Sequence, residues 1–155
     1  MSQSWNGKEK YEQRTKSFLD KVGLGENKKP ETDLSKLLGD DGIDIMLLSA
    51  SECLERAAQL FSWEFYIKRL ENEINSEITT ITSLINRVAG EKWSQYNQKA
   101  PWYVTIESIG HESNQMQSLL MTQAELKSNK SQIEGLSFCI NKIAEVYRET
   151  ARRKQ

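Results

Sequence analysis

Apolar residues recur at helical spacing through the middle of the chain. The series advances by three or four positions and comprises Trp63, Ile67, Leu70, Ile74, Ile78, Ile81, Ile85 and Val88. A period near 3.6 places all of them on one face of an α-helix, and β-strands do not produce this period. Ser49 lies three residues before Glu52, which is the capping-box pattern for a helix start. The sequence therefore predicts a long helix over residues 49–99.

A second helical pattern follows in the last third of the chain. The a and d positions of a heptad are occupied by Met116, Leu119, Gln123, Leu126, Lys130, Ile133, Ser137, Ile140, Ala144 and Tyr147. Ala100-Pro101 separates the two patterns, and the residue before a proline disfavours helical geometry. We expect a second helix over residues 105–153, about 50 residues or ~75 Å long like the first. Two matched helices with a short connection predict an all-α, long antiparallel helical hairpin.

The predicted hairpin has only two helices with which to bury its apolar residues. Of the 155 residues, 37% are hydrophobic and 28% are charged, and both kinds are spread along the helices. Because two helices cover only one stripe of each other, we expect a homo-oligomer whose subunits shield the remaining apolar faces. Gln123 and Lys130 are polar residues in the heptad seam, so they are candidates for fixing its register or the number of subunits.

The N-terminal residues show weaker patterns than the hairpin. We interpret residues 1–42 as a flexible segment with short helices, and residues 43–155 as the oligomerisation and binding domain. Residues 1–7 are expected to be disordered, and residues 8–22 can form a short helix that the glycine-containing residues 23–30 end. Residues 32–38 suit a second short helix. Neither the glycines nor the acids that follow match a phosphate loop or a calcium loop.

Residue sets for catalysis, metal binding and membrane insertion are missing from the sequence. His111 is the only histidine, so a histidine-rich metal site cannot form within one subunit, and no nucleophile-elbow, kinase or zinc motif is present. Cys53 and Cys139 lie far apart in apolar stretches, which predicts two core-facing thiols in a reducing compartment. There is no signal-peptide pattern and no run of ~18 apolar residues. We expect a cytoplasmic protein that is not an enzyme and uses no cofactor, metal or membrane.

Charge is unevenly distributed although the formal net charge is only −1. Cations outnumber acids in residues 1–30 and 126–155, whereas acids outnumber cations in residues 31–125. A polyanion would therefore be bound at the basic ends and not over the whole surface. Ordinary solvated helix faces explain the same distribution equally well.

Cationic and aromatic residues alternate around the expected bend. They are Arg87, Lys92, Trp93, Tyr96, Lys99, Trp102 and Tyr103, with Glu91 as the only acid between residues 87 and 103. Cations can follow phosphates while rings stack on unpaired bases, so this composition favours binding of single-stranded nucleic acid. A structural role stays open, because tryptophans near a bend also close the end of a helical core.

A second cationic group ends the chain. It consists of Arg148, Arg152, Arg153 and Lys154. These side chains suit either a helix C-terminus that they stabilise through its dipole or a phosphate-binding tail.

Four segments together resemble a known family. Ser62-Trp63-Glu64-Phe65-Tyr66 opens one long helix, and residues 87–96 are basic and aromatic before a bend. Val104-Thr105-Ile106-Glu107-Ser108-Ile109 opens the last long helix, which contains Leu136-Ser137-Phe138-Cys139-Ile140. Over residues 43–155 the chain resembles the phage recombination mediators of the UvsY type.

This resemblance implies a function. Small helical subunits of that family assemble into rings that bind single-stranded DNA, help remove the single-strand-binding protein and help load the recombinase. The positions that match its DNA-contacting residues are Arg87, Lys92, Trp93 and Tyr96, and the location would be the host cytoplasm for a phage-encoded chain. Unlike the family, this chain is poor in Lys and Arg through residues 61–86 and carries the additional residues 1–42.

Three functions are compatible with the sequence. The first is a single-stranded-DNA-binding recombination accessory, with a recombinase and a single-strand-binding protein as partners. The second is a structural coiled-coil assembly protein without nucleic-acid binding. The third is an adaptor that presents one helical face to a partner protein.

Overall fold

The computed structural model describes residues 6–96 and 98–155, and all regular elements in this part of the chain are helical. The α-helices are α1 (Asn6–Lys21), α2 (Ala50–Lys92), α3 (Trp102–Glu112), α4 (Asn114–Ile133) and α5 (Leu136–Lys154). Short helical turns occupy Lys36–Asp40, Ile45–Leu47 and Trp93–Gln95. The all-α prediction is confirmed. Within the described residues, no helix is long and apolar enough to cross a bilayer.

Helix α2 is the longest element, with 43 residues. It starts as predicted, because the Ser49 Oγ accepts from the Glu52 N–H at 3.1 Å and the Glu52 carboxylate accepts from the Ser49 N–H at 2.7 Å. It ends at Lys92 and does not continue to residue 99. Gly90 weakens its last turn, and Trp93–Gln95 forms a tighter turn that directs the chain away.

The return part of the chain is divided into three helices, so the prediction of one continuous helix over residues 105–153 is wrong. Ser113 has extended backbone angles and its Oγ accepts from the Met116 N–H at 3.3 Å, which starts α4 anew. Gly135 has φ +80°, a left-handed conformation that separates α4 from α5. The expected heptad positions nevertheless face inward, and each of them is buried or half-buried.

Helices α4 and α5 pack along α2 in antiparallel order. Three contacts along their length define this order: Gln123 Nε2 with Thr82 Oγ1 at 3.0 Å, Asn141 Nδ2 with Glu64 Oε2 at 3.0 Å, and Arg56 with the Tyr147 hydroxyl at 3.4 Å. Gln123 therefore finds a hydrogen-bond partner within the same chain. Chain reversal takes residues 93–113, more than the predicted break at Ala100-Pro101, because α3 packs on the end of α2 before α4 begins.

Two buried clusters lie at opposite ends of this helix pair. The base cluster contains Leu37, Cys53, Ala57, Leu60, Trp63, Ile67, Ile140, Ala144, Tyr147 and Ala151. The tip cluster contains Ile81, Ile85, Val88, Ala89, Ile109 and Met116. We call the ends that hold them the base and the tip. Between the clusters Leu70, Ile74 and Ile78 are only half-buried, so the middle of the pair is thinly covered.

The two cysteines have different environments. Cys53 is buried in the base cluster, whereas Cys139 is exposed. The prediction of two core-facing thiols is therefore wrong for Cys139. Ser137 and Ile140 face the core, and the helical period turns the two residues between them, Phe138 and Cys139, outward.

Residues 24–48 form a strap across one side of the base. Trp63 Nε1 donates to Thr32 Oγ1 at 2.9 Å, Asn27 Nδ2 donates to the Tyr66 carbonyl at 3.1 Å, and Leu37 is buried in the base cluster. The predicted boundary between residues 42 and 43 thus falls inside a packed segment. Of the residues predicted to be disordered, 1–5 lie outside the described part, and residues 6 and 7 begin α1.

Candidate nucleic-acid interface

Two tryptophans from different helices meet at the tip. Trp93 follows the end of α2 and Trp102 begins α3, and their ring centroids lie 5.0 Å apart with an interplanar angle of 48°. The Trp102 Nε1 donates to the Asn86 Oδ1 at 3.2 Å, which fixes the indole against α2. Trp93 is half-buried, and 39% of Trp102 is exposed. The pair therefore supports an oriented indole that still presents part of its surface to solvent.

Tyr103 adds a more exposed ring beside this pair. It is 66% exposed and lies in the first turn of α3. Neighbouring residues on a helix point about 100° apart, so the rings of Trp102 and Tyr103 diverge. Each ring can therefore stack on a separate planar group, but the two rings cannot hold one planar group between them.

Tyr96 has a different role from the other tip aromatics. Its hydroxyl donates to the Glu112 carboxylate at 2.5 Å, and its ring packs against the tip cluster. The hydrogen bond to Glu112 raises the pKa of the Tyr96 hydroxyl. Because both the ring and the hydroxyl are engaged, this geometry favours a structural role for Tyr96 and weakens its predicted role as a DNA contact.

The predicted cations of the tip are close in sequence to Trp93 and Trp102. Arg87 is exposed near the end of α2, and its Nε lies 3.6 Å from a Glu91 carboxylate oxygen. Lys92 is the half-buried last residue of α2, and Lys99 is exposed before α3. An exposed ion pair contributes roughly 0–1 kcal/mol, so a phosphate can compete with Glu91 for Arg87 at little cost.

Most cations of the C-terminal group are already paired. Arg148 donates to Glu145 at 2.5 Å, and Arg152 donates to Glu149 at 2.7 Å. The Lys154 Nζ donates to the carbonyls of Ile45, Met46 and Leu48, which ties α5 to the strap. Among the described residues, only Arg153 of this group has no hydrogen-bond or ion-pair partner. Lys154 therefore connects α5 to the strap, whereas Arg148 and Arg152 pair within α5 itself.

Distance also separates the two predicted cationic sites. Lys154 contacts residues just before α2, whereas the tryptophan pair lies after its end. The 43 residues of α2 span about 65 Å. The fold of one chain therefore does not bring the tip and the C-terminal group onto one local surface.

A polar cluster at the base has no counterpart in the sequence patterns. The Arg56 guanidinium donates to Asp41 at 2.6 Å and lies 5.8 Å from the centre of the Tyr147 ring. The hydrogen bond from Arg56 lowers the pKa of the Asp41 carboxyl. Because Asp41 and Tyr147 are far apart in the sequence, no local sequence pattern predicts this cluster.

Other candidate chemistry finds no geometric support in the residues that the structure describes. His111 is exposed in the last turn of α3, and no group of three or more His, Cys, Asp or Glu side chains is placed to hold a metal ion. The interface candidates are thus the aromatic and cationic residues of the tip. Comparison of the chain with protein families, with curated proteins and with solved structures finds no match.

Proposed function

We propose that the protein is a non-enzymatic, single-stranded-DNA-binding accessory of recombination that helps load a recombinase. Its subunits would be long antiparallel helical hairpins assembled into a helical oligomer, and the tip would hold the strand. The observation that carries this proposal is the exposed surface of Trp102, which is backed by Trp93 and flanked by the exposed Tyr103.

The tip has the chemistry that unpaired nucleic acid requires. Stacking of a base on an aromatic ring contributes about 1–3 kcal/mol, and cations beside the ring bind the backbone. Trp102 is held in one orientation by Asn86 and Trp93, so little side-chain entropy is lost on stacking. Arg87 and Lys92 supply positive charge on the neighbouring end of α2.

Assembly would multiply a weak single contact. The base exposes large apolar side chains on both of its helices, namely Leu54, Phe65, Phe138 and Val146. Covering them in an oligomer removes apolar surface from water, which favours association. Several tips would then act on one strand, and linked weak sites bind far more tightly than one.

The decisive experiment measures binding of a labelled single-stranded oligonucleotide over a series of salt concentrations. Affinity of the wild-type protein should fall steeply with salt. The double variant Trp102→Ala/Tyr103→Ala should lose about 5- to 150-fold in affinity for each ring that stacks on a base. Salt-independent binding, or unchanged affinity in this double variant, would overturn the proposal.

A matched control tests whether any exposed apolar side chain matters. Leu47 is 83% exposed just before α2 at the base, far from the tip. The Leu47→Ala variant should bind the oligonucleotide as the wild type does. Solution mass of each variant shows whether assembly is preserved, which separates loss of a DNA contact from loss of the oligomer.

A second candidate function is a structural assembly protein without nucleic-acid binding. The exposed apolar side chains of the base favour it, and so does the pairing of Arg148 and Arg152 within the chain. It predicts an oligomer that has no salt-dependent affinity for the oligonucleotide. The same two measurements therefore distinguish the two functions.

A further inference from the structure

Helix α1 carries three cations on one stripe. Lys10, Arg14 and Lys21 are separated by four and seven residues, which places them within about 40° of one another around the helix. All three are exposed, and none has a carboxylate partner in the described part of the chain. Lys16 points elsewhere and lies 3.4 Å from Glu26. The stripe is thus a row of positive charge that the fold does not neutralise.

The position of α1 beside α2 directs this stripe away from α2. The other side of α1, including Thr15 and Leu19, lines a groove of about 480 Å³ against α2. The acids Glu73 and Glu77 of α2 lie in the same groove, on the far side of α1 from the stripe. The surface formed by Lys10, Arg14 and Lys21 is lined by α1 residues alone. An anion therefore approaches it without meeting the acidic face of α2.

An aromatic ring borders the stripe. Phe18 is 62% exposed and lies one turn after Arg14 and three residues before Lys21. Cations on both sides of an exposed ring are the combination that binds a sugar-phosphate backbone and stacks on one of its bases. A basic helix that binds a bilayer instead needs its whole apolar face free to enter the lipid. Here Leu19 on that face is turned toward α2, which favours a nucleic acid over a membrane.

We propose that α1 is a second nucleic-acid contact, in which Lys10, Arg14 and Lys21 bind phosphates of a single strand and Phe18 stacks on a base. This contact lies outside the tip and uses none of its residues. It also gives a role to the excess of cations in residues 1–30.

The test uses the full chain with Lys10→Gln, Arg14→Gln and Lys21→Gln combined, and a labelled single-stranded oligonucleotide. Each phosphate bound on a single strand contributes about −0.7 to the slope of log affinity against log salt, so the slope should become shallower by about 2. The control variant combines Lys36→Gln, Lys127→Gln and Lys142→Gln, which removes the same charge from other exposed positions. The control should keep the wild-type slope.

Further measurements identify the ligand and the ring. Phe18→Leu keeps an apolar side chain beside the groove, and it should weaken binding of the single strand while leaving affinity for a duplex of the same length unchanged. An unchanged slope in the triple variant overturns the proposal. The proposal is also overturned if the triple variant no longer binds phosphatidylserine-containing vesicles but binds the oligonucleotide as the wild type does.

The experiment on the triple variant tests the α1 contact independently of the tip. The variant Trp102→Ala/Tyr103→Ala should lower affinity without changing the salt slope, because it removes rings and no cations. If that variant binds normally while the triple variant of α1 does not, the tip assignment fails and the α1 contact stands. The reverse result removes the α1 contact and leaves the tip.

Discussion

The base and the tip contain the same kinds of residue and use them differently. At the base, Trp63 is buried and donates to Thr32, and Arg56 donates to Asp41. Both acceptors come from the strap, which covers one side of the base. No comparable segment among the described residues covers Trp102 at the tip, where part of the indole remains exposed. A cluster of aromatic and cationic residues is therefore structural or available for binding according to whether another segment of the chain supplies its partners.

The largest expected effect concerns the cores of the two ends. Leu60 is fully buried in the base cluster, as Met116 is in the tip cluster. Each substitution by alanine leaves a cavity and should cost about 2–5 kcal/mol in free energy of unfolding. Urea unfolding followed by circular dichroism measures both, and Leu47→Ala, at a residue that is 83% exposed, is the control. Leu47→Ala should stay within about 0.5 kcal/mol of the wild type, and comparable losses in all three variants would contradict the assigned cores.

Two glycines give effects of opposite sign. Gly135 near the base has φ +80°, so Gly135→Ala should reduce the free energy of unfolding by about 1–2 kcal/mol. Gly90 at the tip end of α2 is helical, and a Cβ there would meet no atom within 4 Å. Gly90→Ala should therefore stabilise the protein by about 0.5–1 kcal/mol. Equal signs in thermal or urea unfolding would show that one of these backbone conformations is wrong.

The ion pair between Asp41 of the strap and Arg56 gives the base a dependence on acid pH. Arg56 lowers the folded-state pKa of Asp41, so the ionised carboxylate stabilises the fold above the unfolded-state pKa, and this stabilisation is lost as pH falls through the folded-state pKa. Melting temperature of the wild type should fall more steeply than that of Asp41→Asn between about pH 5 and pH 3. Parallel curves for the two proteins would contradict a stabilising role for the pair.

The smallest expected effect belongs to Tyr96. The Tyr96→Phe variant keeps the ring against the tip cluster and loses only the exposed hydrogen bond to Glu112. Stability should change little, and oligonucleotide affinity should equal that of the wild type because this ring closes the tip core. Weakened binding to the extent expected for Trp102→Ala would return Tyr96 to the interface.

The inward-facing residues of the long helices could be predicted because burial at a period of 3.6 is a local property of sequence. The continuity of these helices could not be predicted. The heptad positions keep their phase across Gly135 and conceal that break, and Ser113 lies just before the first of them. A capping serine and a glycine are the signals that mark these positions.

The tip residues could be named from composition, but their roles depend on contacts between elements. Trp102 with Asn86 and Tyr96 with Glu112 are pairs formed only when α3 folds onto α2. By contrast, the pairing of Arg148 with Glu145 follows from a spacing of three and was open to prediction.

The continuous helix α2 forms one stiff side of the molecule. The opposite side consists of α3, α4 and α5, which are separated by two breaks. The continuous backbone hydrogen bonds of α2 resist bending. On the opposite side, Ser113 and Gly135 interrupt the helical hydrogen bonding at two positions. We expect amides beside these breaks to exchange hydrogen faster than their neighbours across the seam. Residues on either side of these two breaks would then be able to shift along α2 without bending the long helix.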